Sequence, residues 1–224
     1  MNTAVVIVAA GSGSRFGGNL PKQFCLLAGR PVLMHTVDRL REALPTAELV
    51  LVVSHSMKDY WLQLCADHAF ASPRLVMGGA TRSDSVRNAV LSLNGDYDVI
   101  MVHDGARPLV PSACVQAVEA AMADEAVDGA IPAVPVTDSL RRVDGNGTSV
   151  AVDRAVYRAV QTPQAFRADK MRAAYASISE SFSDDASLME SLGHSNFVLT
   201  PGAPENIKIT NPADLAIAET LLAR

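Results

Sequence analysis

The chain has 224 residues, of which 49% are hydrophobic and 19% are charged, and its formal net charge at pH 7 is −5. This length fits one α/β domain with a small appendage, and the apolar content is sufficient for a large core. The negative balance argues against a nucleic-acid coat or a basic membrane-binding patch, so any site for a polyanion needs a local cluster of arginine and lysine.

The chain begins with a predicted strand and a glycine-rich loop. Val5–Val8 is an uncharged β-branched run, typical of a buried parallel strand, and the segment AAGSGSRFGGNLPKQF follows it. Gly11 and Gly13 allow backbone angles that bring N–H groups close to an anion, while Arg15 and Lys22 supply positive charge. The segment therefore predicts a phosphate-binding loop; the alternative is a glycine-rich turn with two solvated cations.

This loop matches neither of two familiar phosphate-binding motifs. The dinucleotide fingerprint needs a third glycine where Phe16 stands. The P-loop ends in Gly-Lys-Ser/Thr, whereas Lys22 lies between Pro21 and Gln23. The chemistry of the loop has to be inferred from the rest of the chain.

Strands and helices alternate after the loop. Helices are predicted at Pro31–Leu44, Lys58–Phe70, Ser83–Leu93 and Pro111–Ala123. Strands are predicted at Glu48–Ser54, Arg74–Met77, Asp98–Asp104 and Gly129–Val136. The alternation indicates a doubly wound α/β fold, with a mostly parallel sheet and helices on both faces, in a single domain that spans residues 1–224.

One segment interrupts this alternation. Asp138–Arg154 contains two alternating runs around DGNG, which is a hairpin-turn signal. An isolated two-stranded hairpin is marginally stable in water, so this projecting hairpin is expected to pack against something. It is either a surface ornament or a dimerisation arm.

Unusual polar residues follow the carboxyl ends of the predicted strands, where such sheets bind ligands. Besides the two loop cations, these are GGATRSDSV after Met77, Asp104 and Arg107 in HDGARP, and Lys208 in the strand-like run ENIKIT; Arg154 follows the hairpin instead. Singly, Asp104 could cap a turn, and Lys208 and Arg154 could be solvated surface charges. His103 is interpreted as a packed side chain. Several cations around one carboxylate indicate an anionic ligand, and a triphosphate with Mg²⁺ would satisfy them all.

The motifs together resemble the 2-C-methyl-D-erythritol 4-phosphate cytidylyltransferase family. The resemblance rests on AAGSGSRFGGNLPKQF, GGATRSDSV, HDGARP, VDR…TPQAF, DDAS and NIKIT, and it extends from Ala9 to about Leu215. Two departures are Gly105, where the family usually has alanine, and Ser183, where threonine is common. Neither departure removes a charged group or the hydroxyl.

The resemblance implies transfer of a cytidylyl group from CTP to methylerythritol phosphate with release of pyrophosphate. The attacking phosphate is already an anion, so catalysis depends on positioning and charge neutralisation rather than on a strong base. By the same likeness, Arg15, Lys22, Arg154 and Lys208 are the expected catalytic cations. Asp104 is the expected ligand of Mg²⁺, an ion that proteins often bind through one carboxylate and substrate phosphates.

The likeness also implies two sets of binding residues, and the projecting hairpin predicts a dimer. The nucleotide would be bound by Ala9, Ala10, Gly11, Gly13, Gly79, Ala80 and Ser85. The polyol phosphate would be bound by Asp104, Arg107, Arg154, Thr162, Ser183 and Lys208. In a two-fold homodimer formed through the hairpin arm, Arg154 of one subunit would serve the site of the other.

Two alternative functions stay open at this point. A cytidylyltransferase for another polyol phosphate, such as ribitol 5-phosphate, would have the same nucleotide half. A non-catalytic nucleotide sensor is a more distant alternative, because it predicts loss of Asp104 or Lys22, and both are present.

The cysteines and the apolar runs bear on location. Cys25, Cys65 and Cys114 are odd in number and have no C-x-x-C spacing, which favours a reducing compartment. No apolar run approaches membrane-spanning length, and the N-terminus lacks the basic region of a signal peptide. We expect a cytoplasmic protein with no nucleic-acid or membrane partner.

Overall fold

A computed structural model describes residues 1–11, 20–178, 182 and 184–223. The strands are β1 (Thr3–Ala9), β2 (Leu26–Leu27), β3 (Arg30–Pro31), β4 (Glu48–Val53), β5 (Arg74–Met77), β6 (Val99–Asp104), β7 (Gly129–Pro135), β8 (Leu140–Val143), β9 (Ser149–Val152), β10 (Arg158–Val160), β11 (Gln164–Arg167) and β12 (Phe197–Pro201). The helices are α1 (Val32–Ala43), α2 (Lys58–Asp67), α3 (Arg82–Ser92), α4 (Ser112–Ala121), α5 (Ala168–Ser177), α6 (Asp185–Ser191) and α7 (Pro212–Leu222).

The central sheet has the strand order β10-β7-β11-β6-β1-β4-β5, and β12 also pairs with β7. Strand β1 is parallel to β4 and β6, β4 is parallel to β5, and β12 is parallel to β7. Strand β11 is antiparallel to both β6 and β7, and β10 is antiparallel to β7. The predicted mostly parallel sheet is confirmed, and the antiparallel strands are an addition that the sequence pattern did not predict.

Helices cover both faces of this sheet, as predicted. Val5 and Ile7 of β1 are fully buried against α1, α2 and α4 on one face. Ala4 and Val6, which alternate with them, are buried against α3, α5 and α6 on the other. Alternate side chains of a strand point to opposite faces, so this uncharged strand supplies both halves of the core.

The hairpin segment 138–154 forms a sheet of its own. Strands β8 and β9 pair antiparallel, with Leu140 opposite Val152. Their side chains are mostly exposed, including 67% of Val143 and 52% of Val150. The subunit thus carries apolar side chains on this hairpin that its own core does not cover.

Two local predictions were wrong. The predicted helix Lys58–Phe70 ends at Asp67, because Ala69 takes a positive φ of 48° and Phe70 N–H then bonds back to Cys65 O. The expected strand around Lys208 is instead a segment without regular secondary structure. Its alternating pattern arises because Ile209 is buried in a small cluster beside α7, where its N–H donates to Ala106 O at 2.9 Å.

No helix in the described part of the chain is long and apolar enough to cross a membrane.

Candidate active site

A cavity of about 450 Å³ opens at the carboxyl ends of β1, β5 and β6. Predicted site residues on its wall are Ala9, Ala10, Gly11, Lys22, Gly79, Ala80, Ser85, Asp104 and Lys208. The wall also contains Val8, Gln23, Thr81, Arg82, Ala106 and Thr210. Most of the nucleotide-binding set predicted from the sequence therefore lies around one cavity with two of the predicted catalytic cations.

Asp104 is a charged residue of this cavity that is paired with two cations. Its Oδ2 atom lies 2.9 Å from Lys208 Nζ and 3.3 Å from Arg107 Nε, and its side chain is 12% exposed. Burial alone would raise the pKa of Asp104, but Lys208, Arg107 and Arg82 outweigh it and hold that pKa well below its usual range. The carboxylate is therefore ionised at every physiological pH.

Two further predicted residues lie directly beside Asp104. The backbone N–H of Asp104 donates to Thr162 Oγ1 at 3.1 Å, and Arg107 Nη1 donates to Asn206 O at 2.7 Å. Thr162 Oγ1 also lies 3.1 Å from His103 Nδ1. His103 is fully buried among these groups, which agrees with its interpretation as a packed residue.

Arg154 does not line this cavity. It begins a 3₁₀ turn after β9, its side chain is exposed, and it donates to Thr137 O rather than lining the cavity of its own subunit. The other predicted site residues, Gly13, Arg15 and Ser183, lie outside the described residues.

Close approach of backbone segments explains the glycines at this edge. A Cβ atom on Gly78 would lie 2.4 Å from Ala10 Cβ, and one on Gly79 would lie 2.3 Å from Asp84 Cβ. A Cβ on Gly105 would meet Ala9 Cβ at 3.0 Å, which is tight but less severe. An alanine at that position would need its neighbours to shift by a few tenths of an ångström.

The segment after Gly79 is fixed by the start of α3. Thr81 and Asp84 form a capping box, in which each residue's backbone N–H donates to the other's side chain at 3.0 Å. Ser85 Oγ accepts from Gly79 N–H at 3.1 Å and donates to Thr81 O at 2.9 Å. These bonds hold the cavity wall from Gly79 to Ser85 in one conformation.

Gln23 is a site residue that the sequence interpretation missed. It is 3% exposed, and its Nε2 donates to Ala9 O at 2.7 Å and to Gly11 O at 2.9 Å. The amide therefore joins the beginning of the glycine-rich loop to its end, next to Lys22. A glutamine directly after a loop lysine was a visible signal, although its partners were not.

Arg82 is the second missed residue. Its Nη2 donates to Asp185 Oδ2 at 2.6 Å, and the two side chains are 24% and 0% exposed. Both residues stand inside quoted motifs, GGATRSDSV and DDAS, but 103 positions apart. Only the fold brings them together.

A cation-lined cavity at the carboxyl ends of the parallel strands is typical of α/β proteins that bind phosphorylated ligands, and comparisons with known proteins identify the class as the nucleotidyltransferases. The model of the family described as 2-C-methyl-D-erythritol 4-phosphate cytidylyltransferase matches residues 3–224. The chain belongs to this family.

Individual relatives agree over nearly the whole length. The chain is 43% identical to the enzyme of that name from Frankia casuarinae over 222 residues, 99% of this chain and 81% of the relative. It is 41% identical to the one from Bacteroides thetaiotaomicron over 225 residues, 99% of this chain and 100% of the relative. The crystal structure of the Thermus thermophilus enzyme superposes with a TM-score of 0.77 at 31% identity, covering 100% of both chains.

Proposed function

We propose that this chain transfers the cytidylyl group of CTP to 2-C-methyl-D-erythritol 4-phosphate and releases pyrophosphate, a step of isoprenoid precursor biosynthesis. The observation that carries this function is the family match over residues 3–224. The cavity supports it, because lysine and arginine side chains surround the carboxylate of Asp104 at the edge where such sheets bind ligands.

The reaction needs charge neutralisation more than proton transfer. A phosphate oxygen of the polyol phosphate attacks the α-phosphorus of CTP, and the bond from that phosphorus to the bridging oxygen of the β-phosphate breaks. The electron pair leaves with pyrophosphate. Lys22 and Lys208 are the cavity cations assigned to this developing charge, together with Arg15 of the loop.

The two substrates are assigned to two sides of the cavity. Ala9, Ala10, Gly11, Gly13, Gly79, Ala80 and Ser85 are assigned to the nucleotide. Arg107, Thr162, Ser183, Lys208 and Arg154 are assigned, with Asp104, to the polyol phosphate. The contacts of Arg107 and Thr162 with Asp104 support this division, since both side chains lie within hydrogen-bond distance of that residue.

Asp104 is also the proposed ligand of Mg²⁺. The donor set fits this ion, which proteins commonly bind through one or two carboxylates while substrate phosphates supply the other oxygens. No group of three or more His, Cys, Asp or Glu side chains that could hold a metal occurs among the described residues. When bound, the ion would neutralise phosphate charge, and Asp104 would orient it.

The proposed assembly is a two-fold dimer formed through the hairpin arm, in a cytoplasmic enzyme. The exposed apolar side chains of the hairpin support the dimer, and so does the position of Arg154 away from its own subunit's cavity. The cytoplasmic assignment is supported by three cysteines that are all free thiols.

Pyrophosphate release tests the function. The purified protein is assayed with CTP, UTP, ATP and GTP, each combined with methylerythritol phosphate or ribitol 5-phosphate, in the presence of Mg²⁺. We expect release with CTP and methylerythritol phosphate and at most a small fraction of that rate with every other pair. Equal or faster release with ribitol 5-phosphate would instead favour a different polyol phosphate as substrate.

A further inference from the structure

Asp185 is a buried carboxylate that the reaction described above does not use. Its side chain is 0% exposed, and its two oxygens have different partners. Arg82 Nη2 donates to Oδ2 at 2.6 Å, and the Tyr175 hydroxyl donates to Oδ1 at 2.5 Å. A buried charge is retained only when it is paired and hydrogen-bonded, and both conditions hold here.

The arginine of this pair belongs to the cavity. Arg82 is the first residue of α3, and its 24% exposed side chain lines the cavity. Burial alone would lower the pKa of Arg82, but Asp185 and, more weakly, Asp104 raise it above its usual range. The guanidinium thus stays charged at the cavity wall, and a guanidinium is well shaped to bind phosphate.

The carboxylate of the pair is held by several elements. Asp185 begins α6, whose N-cap Asp184 accepts from Ser187 N–H at 3.0 Å. Gln164 of β11 donates to Asp184 at 3.1 Å and accepts from Ala186 N–H at 3.2 Å. The start of α6 is therefore fixed to the central sheet.

Tyr175, which bonds to the same carboxylate as Arg82, is also held in place. Tyr175 on α5 is 1% exposed, and its hydroxyl bonds the carboxylate oxygen that Arg82 leaves free. Burial first, and then Asp185, raise the pKa of Tyr175, so the hydroxyl keeps its proton and remains a donor. With both oxygens bonded, the carboxylate of Asp185 is held in place, and it holds the Arg82 guanidinium in one orientation.

We propose that Asp185, together with Tyr175, is a positioning residue that fixes the Arg82 guanidinium on the cavity wall, where it binds a phosphate group of a substrate. An arginine side chain held in advance loses less rotamer freedom when the ligand arrives, so the pair strengthens binding without touching the ligand. This inference rests on the proposed cytidylyl transfer only for the identity of the two phosphate-bearing substrates.

The test compares KM values for both substrates in the wild type, D185N, R82A and the double variant R82A/D185N. We expect D185N to raise one KM by roughly tenfold, as loss of a charge-assisted bond would. A rise for CTP assigns the guanidinium to the triphosphate, and a rise for methylerythritol phosphate assigns it to the polyol phosphate. Unchanged KM and kcat for both substrates in D185N would overturn the proposal.

The double variant separates positioning from a purely structural role. If Asp185 acts through Arg82, D185N should add less than about a twofold change in KM once the guanidinium is absent. If D185N multiplies the KM of R82A by the same factor as it multiplies the wild-type value, the residues act independently and the proposal is wrong.

Two controls keep the experiment interpretable. D128N breaks another partly buried ion pair, with Lys170 Nζ at 2.5 Å, at the amino end of β7 and thus at the opposite edge of the sheet. It should leave both KM values unchanged. Y175F is the substitute variant if D185N does not fold, because it removes only one hydroxyl. It should raise the KM that R82A raises, by a smaller factor. An unchanged KM in Y175F would then contradict the proposal.

A binding measurement separates this inference from the proposed reaction. Calorimetric titration of each folded variant with CTP, and separately with methylerythritol phosphate, needs no turnover. Weaker binding in D185N but not in D128N supports positioning even if the wild type releases no pyrophosphate. Equal affinities for both probes in D185N and wild type contradict it.

Discussion

At the scale of single residues, Asp104 sets the charge balance of the cavity. Lys208 and Arg107 both bind its Oδ2 atom, so the carboxylate neutralises part of the positive charge that the substrates will meet. Removing the carboxylate would leave these cations attracted to the substrate phosphates directly. Neutralising these two cations would by itself weaken the binding of phosphate. The carboxylate of Asp104 is therefore expected to contribute to catalysis through another contact, such as holding a metal ion.

The metal assignment predicts a strict requirement. Activity should vanish in excess chelator and return when Mg²⁺ is added, because Asp104 and the substrate phosphates are the proposed hard oxygen ligands. In D104N we expect turnover to fall by roughly a hundredfold or more, the size of effect seen when a group that acts on transition-state charge is removed. Pyrophosphate release measured over a range of Mg²⁺ concentrations checks both, with D128N as the control. Full activity in chelator would rule out the metal.

His103 predicts how stability depends on pH. Burial lowers the pKa of His103 to about 4, although Asp104 beside it acts in the opposite direction. In the unfolded chain the imidazole titrates near its ordinary value of about 6.5. Between these two values the unfolded state binds the extra proton, so the free energy of unfolding should fall as the pH is lowered, by up to about 3 kcal/mol in total.

Urea unfolding at a series of pH values from neutral down to the lowered pKa of His103 measures this dependence. The matched variant is His103→Gln, whose amide cannot titrate but can still bond with Thr162 and the backbone of Arg107. Its free energy of unfolding should change less over the same interval. Asp104 does not interfere, because its lowered pKa makes it a source of acid destabilisation only below about pH 4. If the free energy of unfolding of the wild type and of the variant fell equally with pH, the conclusion that His103 is buried in its neutral form would be wrong.

At the scale of elements, Gln23 links the two ends of the glycine-rich loop. Its two bonds, to Ala9 O and Gly11 O, fix the turn that presents Lys22. Gln23→Met keeps the size of the side chain and removes both donors. Because two carbonyl groups lose their partner, we expect the free energy of unfolding to fall by about 1–3 kcal/mol. We expect kcat/KM to fall by roughly tenfold or more, since small misplacements of a catalytic group are costly.

Denaturant unfolding and steady-state kinetics on the same preparation test this prediction. Gln116→Met is the matched control, because Gln116 on α4 makes one long bond of 3.4 Å to Ala43 O and does not line the cavity. It should leave kcat/KM unchanged. If Gln23→Met unfolds more easily yet keeps wild-type kcat/KM, the glutamine stabilises the fold without positioning the loop.

Some strands could be predicted from the sequence and others could not. Long uncharged runs such as the one in β1 predicted the parallel strands, because burial on both faces leaves a continuous apolar signal. Strand β11 is only Gln164–Arg167, and its antiparallel insertion between β6 and β7 depends on tertiary pairing that no local pattern records. The run around Lys208 alternates like a strand, but one hydrogen bond and a small apolar cluster account for it.

The residues of the cavity also fall into those that the sequence could predict and those that it could not. Lys22 and Asp104, which come after the predicted first strand and at the end of a later one, were predictable because parallel strands deliver their carboxyl ends to one edge. Lys208 also lines the cavity, but it stands in a segment that is not a strand, so that rule does not account for its position. The partners that hold other side chains were not predictable. Arg82 and Asp185 lie 103 positions apart, and residue types alone do not show which acid will meet which arginine.

At the scale of the whole molecule, the hairpin is the part that one subunit does not explain. Val143, Val156 and Tyr157, in the hairpin and the turn after it, are 67%, 76% and 45% exposed. Burying such side chains contributes roughly 25 cal/mol for each Å² of apolar surface removed from water. A second copy docked by two-fold symmetry would bury the same patch on both subunits, and it would carry Arg154 toward the partner.

A mixing experiment tests whether the site is shared. Lys22→Ala should reduce turnover by roughly a hundredfold to a thousandfold. Arg154→Ala should also be impaired, because a charge-assisted contact contributes roughly 1.5–3 kcal/mol. If Arg154 serves the other subunit, each mixed dimer has one site with both lesions and one site with neither. Random exchange then restores about a quarter of all sites.

The control is exchange between two chains that carry the same lesion, which should restore nothing. Subunit exchange is verified independently by mixing chains with two different fluorescent labels and measuring energy transfer. A combined activity near a quarter of wild type places the arginine in the partner's site, since each intact site needs Lys22 from one chain and Arg154 from the other. If exchange is complete and activity stays at the level of the separate variants, Arg154 acts within its own subunit and the shared site is wrong.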